Sequence, residues 1–219
     1  MFENSISRQY LKPVLSILLG VLLVVGQVSA DSSTPATPQA TIQTIVDDVL
    51  AVLKNNRDTL ARHPGALTPG IARIVDPYLD FTLMSEEVLG VGWRRADAGQ
   101  RARFTQAFHR LMNTDYAAVY RQYTGQRIRV TGVRWTDAAQ DRAMVSSEIA
   151  SPGTQPIEVD YRMHRADGRW KVYDVVVDGI SLLINYRNAF AAELQQESLD
   201  GLIARIEAKI ASAPAGAAH

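Results

Sequence analysis

The sequence predicts an α+β fold: helices, a four-stranded antiparallel sheet, then helices again. Three observations carry this. From Ile42 to Tyr120 the apolar residues recur at helical spacing. At Gly125 the period changes to an alternation of two, through segments whose connections are short enough to require antiparallel neighbours. Then Trp170 to Phe190 joins a strand to a helix at one corner. Its first part is rich in β-branched and aromatic residues, Asp178-Gly179 is a turn pair, and Leu182, Leu183, Tyr186 and Phe190 return to helical spacing. Helices segregated from hairpin-linked strands are the pattern of an α+β domain.

The helical half begins with Ile42, Ile45, Val46, Val49, Leu50 and Leu53, a stripe that ends by His63-Pro64-Gly65. Pro69 suits the first turn of a second helix through Ile71 and Leu79, which Pro77 should kink or end. A short helix from about Thr82 to Leu89 is closed by Gly90 in the left-handed conformation, and Gly90-Val91-Gly92 reads as a loop. Asp97 and Gln100 have the spacing of a capping box. They open the longest helix, through Phe104, Phe108, Leu111, Met112, Tyr116 and Tyr120.

The strands are Arg127 to Trp135, Arg142 to Ala150, Gln155 to Arg165 and Arg169 to Val177. In the third, Ile157, Val159, Tyr161 and Met163 alternate with charged residues and His164, the pattern of one buried and one open face. The apolar phase of the first strand slips at Gly132, which predicts a bulge. Asp167-Gly168 predicts a tight hairpin. The unbroken Val175, Val176 and Val177 predict a strand covered on both faces. Ser181 can cap the helix after the corner, and a last helix, capped near Asp200, carries Leu202, Ile203, Ile206 and Ile210.

Outside this domain, assigned to residues 41–210, the ends read differently. Arg8 and Lys12 precede an apolar run from Val14 to Val25, and Val28-Ser29-Ala30 is a small-residue cleavage pattern. Residues 1–30 are thus expected to be a cleavable secretory signal, with Asp31 as the new N-terminus and the periplasm as destination. The rival, an uncleaved anchor, would need ~20 apolar residues, and this run is shorter. Residues 31–40 hold two prolines and no apolar residue larger than Ala, which makes a linker. Residues 211–219 read as a disordered tail.

The chain has 219 residues, no formal net charge and no cysteine. Removing residues 1–30 takes Arg8, Lys12 and Glu3 and leaves a net charge of −1. Nothing in this balance points to nucleic acid. Disulfides, thiolate chemistry and cysteine-held metals are excluded. His63, His109, His164 and His219 have no metal-ligand spacing, and there is no H-E-x-x-H, G-x-S-x-G or P-loop. Asp174 interrupts an apolar strand, on the side of Trp170, Val172 and Val176. It is either a general base of raised pKa in a pocket or a carboxylate paired with an arginine. Arg187 either meets a phosphate or is an ordinary salt-bridged helix residue. Phe108, Met112, Tyr116 and Tyr120 either line a cavity or fill a core.

Five strings occur in order: I-V-D-P-Y-L-D-F from Ile74, M-S-E-E-V-L-G-V-G-W-R from Met84, Q-R-A-R-F from Gln100, Y-D-V-V-V-D-G-I-S-L-L-I-N-Y-R-N-A-F from Tyr173 and D-G-L-I-A-R-I from Asp200. Together they resemble the MlaC family, the toluene-tolerance or organic-solvent-tolerance proteins. The resemblance implies a curved sheet closed by helices around a deep apolar pocket, loosely like nuclear-transport-factor-type cones. It implies a monomeric periplasmic phospholipid carrier that is not an enzyme and holds no cofactor or metal. Its partners would be an outer-membrane lipoprotein–porin complex and an inner-membrane ABC transporter, and its role would be outer-membrane lipid asymmetry. On that reading the acyl tails are held by Phe108, Met112, Tyr116, Tyr120, Val130, Val145, Ile157, Val159, Tyr161, Met163, Val172, Val176 and Leu183. Arg94 and Arg187 are head-group candidates. Which strand face looks into the pocket stays open in the sequence. So do two rivals, a cone-shaped isomerase or hydrolase using Asp174 as base and a lipid-free adaptor.

Overall fold

The structure, a computed structural model, describes residues 37–120 and 123–212, without the side chains of residues 64 and 116–119. The expected signal at 1–30 and most of the tail therefore lie outside the described residues.

Thr37 caps α1 (Pro38–Asn55), its Oγ1 accepting from the Ala40 N–H at 3.1 Å. The helix thus starts inside the stretch read as linker, because Pro38 is a favourable first-turn residue. It also ends earlier than the stripe implied. Asn56 leaves helical geometry, and the short α2 (Arg57–Arg62) follows. A 3₁₀ turn, Pro64–Leu67, leads into α3 (Thr68–Val75), and Pro77 ends that helix in a second 3₁₀ turn, Asp76–Tyr78.

Asp80 caps α4 (Phe81–Leu89) through the Leu83 N–H. Gly90, at φ 55° and ψ −113°, closes it but not in the left-handed helical conformation, and Val91–Arg95 is a further short helix, α5, rather than a loop. The reason is Trp93: it is buried, and one helical turn carries its ring into the core. The Asp97–Gln100 capping box forms reciprocally, with bonds of 2.8 and 3.2 Å, and starts α6 (Ala98–Tyr120).

The sheet has five strands in sequence order, all antiparallel: β1 (Arg127–Trp135), β2 (Arg142–Ala150), β3 (Ile157–Ala166), β4 (Arg169–Val177) and β5 (Ile180–Ser181). The fifth strand was not foreseen. Asp178 and Gly179, at φ 47° and 80°, make a turn tight enough to fold Ile180 back onto Val177. Asp167 and Gly168, at φ 49° and 75°, do the same between β3 and β4. The slip at Gly132 is a bulge against β2. A second slip, between Arg162 and Met163, leaves Tyr173 as the extra residue of β4. Such bulges bend and twist a sheet.

Ser181 caps α7 (Leu182–Glu193) through the Ile184 N–H at 3.1 Å. The last helix, α8 (Leu199–Ala211), is capped near Asp200 as expected, by Ser198, and the Asp200 carboxylate pairs with Arg103 of α6.

Two main apolar clusters lie on opposite sides of β4. One is built from α4 to α8, where Phe104, Phe108, Tyr186 and Phe190 interlock with ring centroids 5.1–6.1 Å apart. The other joins α1, α2 and α3 to the opposite sheet face. Residues 76–80 carry the chain from one helical group to the other. Leu79 touches both clusters, and the Asp80 N–H donates to the Val172 carbonyl at 3.0 Å. His109 Nε2 lies 2.8 Å from Asp76 Oδ2, and His164 Nε2 lies 2.9 Å from Asp80 Oδ2.

Candidate functional site

Strand register decides which residues share a face. Val130 pairs with Ser147, Val133 with Val145, and Val145 with Tyr161. Val159 pairs with Val177, Tyr161 with Val175, and Met163 with Val172. Since alternate residues share a side, Val130, Val145, Ile157, Val159, Tyr161, Met163 and Val172 all lie on the face covered by α1. Seven of the thirteen predicted tail-contacting residues thus share this face; five of them join the cluster under α1, while Ile157 and Val159 form a smaller cluster with Val177. Val145 and Met163 are fully enclosed, whereas Val130 and Tyr161 are only partly buried. Tyr120, at the end of α6, packs against the same cluster.

The other predicted residues sit elsewhere. Phe108, Met112 and Leu183 belong to the cluster of α4 to α8. Val176 is buried, but the Tyr173 bulge turns it to the face opposite Val172. The Tyr116 side chain lies outside the described residues. Arg187 pairs with Glu87 of α4 at 2.8 Å and donates Nε–H to the Glu87 carbonyl at 2.6 Å. Arg94 is exposed on α5. Both arginines therefore sit on elements whose buried residues belong to the helical cluster, not to the α1-covered face.

The bulge also corrects Asp174, which does not share a side with Trp170 and Val172. Its carboxylate is 2 % exposed. It accepts from Ser181 Oγ at 2.7 Å, the Leu183 N–H at 3.2 Å and Arg162 Nη1 at 3.1 Å. Burial raises its pKa, while the Ser181, Leu183 and Arg162 bonds pull it down. The arginine-paired reading is the one observed: the carboxylate anchors the first turn of α7 to β4. Among the described residues, no group of three or more His, Cys, Asp or Glu could hold a metal.

Two rows of α1 meet the sheet. Ile42, Val46, Leu50 and Leu53 are buried, whereas Ile45, Val49 and Val52 beside them are only partly covered. The apolar stripe is wider than one packed row needs. Ser147 and Tyr161 place hydroxyls on this face, and Arg165 stacks over Trp170 at its edge. Burial pushes the Tyr161 phenol up, opposed by a hydrogen bond with Ser147. Burial pushes Tyr120 up as well, helped by the Asp76 charge.

An open cleft of about 290 Å³ lies at one end of the cluster, lined by Arg57, Leu60, Ala61, Tyr123, Thr124 and Gly125. Leu60 and Tyr123 belong to the cluster itself. Sequence pattern did not mark this cleft, since Arg57 lies beyond the helical stripe and Tyr123 falls at the junction of helix and strand periods.

Fold and site together define an α+β protein whose bent sheet carries a partly open apolar face under α1, while a separate helical cluster packs against the other side of β4. A sequence profile described as "MlaC protein" matches residues 43–208. The chain belongs to the MlaC family. It is 27 % identical over 189 residues to "Toluene tolerance protein ttg2D" of Pseudomonas putida, covering 85 % of this chain and 87 % of that one. It is 24 % identical over 196 residues to "Intermembrane phospholipid transport system binding protein MlaC" of Haemophilus influenzae, covering 89 % and 90 %. Among solved structures it is similar to the phospholipid-binding protein of Ralstonia solanacearum in complex with a phospholipid. That likeness has a TM-score of 0.70 and 28 % identity, over 78 % of this chain and 96 % of that one.

Proposed function

We propose that this protein is a periplasmic carrier of glycerophospholipid, without catalytic activity, working between an inner-membrane ABC transporter and an outer-membrane lipoprotein–porin complex. The observation that carries the reading is the partly open apolar face between α1 and the sheet, in a chain whose structural relative was solved with a phospholipid. The tails lie against Val130, Val145, Val159, Tyr161, Met163 and Val172, under Ile45, Val49 and Val52. Phe108, Met112, Leu183 and Val176 form the solid half that holds this face in place.

Hydrophobic transfer sets the terms. Each methylene is worth ~0.8 kcal/mol against water, so two acyl chains do not cross an aqueous compartment uncovered. Against a bilayer the same chains gain almost nothing. A carrier needs only to match the membrane, and direction comes from its partners. A cleft of about 290 Å³ is small for a two-chain lipid. Loading therefore requires α1 to move off the sheet, along the row of Ile45, Val49 and Val52 where cover is least.

Native mass spectrometry of the purified mature chain tests this. One or more added masses matching phospholipids are expected. Absence of phospholipid in a chloroform–methanol extract, even after refolding with phospholipid vesicles, would overturn the reading.

A further inference from the structure

The cleft beside α2 has a feature that an acyl pocket does not need. Tyr123 lines it and is nine-tenths buried, yet its hydroxyl has no hydrogen-bond partner among the described residues. Buried polar groups are nearly always satisfied, so an orphaned hydroxyl in a cleft calls for a ligand oxygen. Arg57 lines the same cleft, is exposed, and makes no ion pair among the described residues. Its positive charge acts on the Tyr123 phenol, opposing the rise that burial causes. An arginine without a carboxylate partner beside a buried hydroxyl donor is an anion site in search of its anion. The floor of the cleft is apolar, because Leu60 and the Tyr123 ring belong to the cluster under α1. A ligand filling it must be apolar at one end and anionic at the other.

We propose that Arg57 and Tyr123 hold the phosphoglycerol portion of a glycerophospholipid, Arg57 at the phosphate and the Tyr123 hydroxyl donating to a phosphate or ester oxygen. This rests on the carrier reading and deepens it. The neighbouring backbone supports the geometry. Gly125 is at φ 102°, and the Thr124 N–H is taken by Gln126 Oε1 at 2.9 Å, which fixes the wall opposite α2. The tails run from the cleft under α1, and the charged end stays at the solvent edge, where Arg57 lies. Arg94 and Arg187 have no such place, since neither adjoins the apolar face.

The test separates phosphate recognition from tail capture. Lipid-stripped mature protein is incubated with vesicles holding equal amounts of phosphatidylglycerol and of diacylglycerol with the same chains. Captured lipid is counted by native mass spectrometry for wild type, Arg57→Gln and Tyr123→Phe, with circular dichroism melts as the check on folding. Wild type is expected to favour phosphatidylglycerol by about tenfold, as a charge-assisted contact gives. The preference should fall to near parity in Arg57→Gln and by several-fold in Tyr123→Phe. An unchanged preference in both folded variants overturns the assignment while leaving lipid capture standing. Capture of neither lipid by wild type overturns it together with the carrier reading. A parallel ³¹P titration uses inorganic phosphate. Phosphate binding that depends on Arg57, without any preference between the two lipids, assigns the cleft to a free anion and overturns the head-group role.

Discussion

Replacing Asp174 tests whether its carboxylate is the anchor of α7. In Asp174→Ala three hydrogen bonds are lost at once. The Leu183 N–H is left buried without an acceptor, and the Ser181 hydroxyl loses its own. An orphaned buried group costs about 1–3 kcal/mol. Arg162 contributes little, since its side chain is 41 % exposed and water replaces the carboxylate. The expected loss is about 3–4 kcal/mol. Asp174→Asn keeps one acceptor for Leu183 and should lose only about 1 kcal/mol at neutral pH, because relief from burying a charge offsets the lost arginine bond.

The pH dependence has a definite sign. Burial raises the folded-state pKa of Asp174 above its ordinary 3.8. The folded protein then holds a proton over a window where the unfolded chain has released it. Stability falls as pH rises from the ordinary carboxylate value through the raised one. Asparagine does not titrate, so the margin of wild type over Asp174→Asn is largest below this window, shrinks through it and is flat above it. Urea unfolding at a series of pH values reads the margin directly. An Asp174→Ala midpoint equal to wild type would refute the anchor, and a margin that grows with pH would refute the upward shift of its pKa.

Phe108→Ala should cost about 3–5 kcal/mol in urea unfolding, the usual range for a buried aromatic, yet leave phospholipid per folded molecule unchanged, since Phe108 belongs to the helical cluster. Val49→Glu places a charge in the partly covered row of α1. It should cost little stability but cut captured phospholipid several-fold by mass spectrometry. Ser198→Ala removes the cap of α8 and should lower stability by about 1 kcal/mol. Gly179→Ala puts a Cβ on a residue at φ 80° and should cost about 1–2 kcal/mol in the same assay.

The sheet was readable almost residue by residue because alternation and turn pairs are local signals: the Gly132 bulge, the Asp167-Gly168 hairpin and the Ser181 cap all sit where pattern put them. What failed were features set by distant neighbours. Tyr173 carries no mark of a bulge, yet its extra residue reverses the side on which Asp174 and Val176 point. Val91 to Arg95 looks like a loop until Trp93 finds a core to enter. Aromatic residues at helical spacing could not tell Phe108, locked among other rings, from Tyr120, beside the sheet. Arg57 and Tyr123 are separated by the whole first half of the domain, and only folding places them in one cleft.

Residues 76–80 act as a seam. Two histidines from different elements clasp its aspartates, and Val172 holds its backbone to the sheet. Through it α3 is tied to α6 by Asp76 and His109, and α4 to the sheet by Asp80 and His164. Any shift of α1 to α3 on loading would therefore reach α6 directly, so the two helical groups would not move independently.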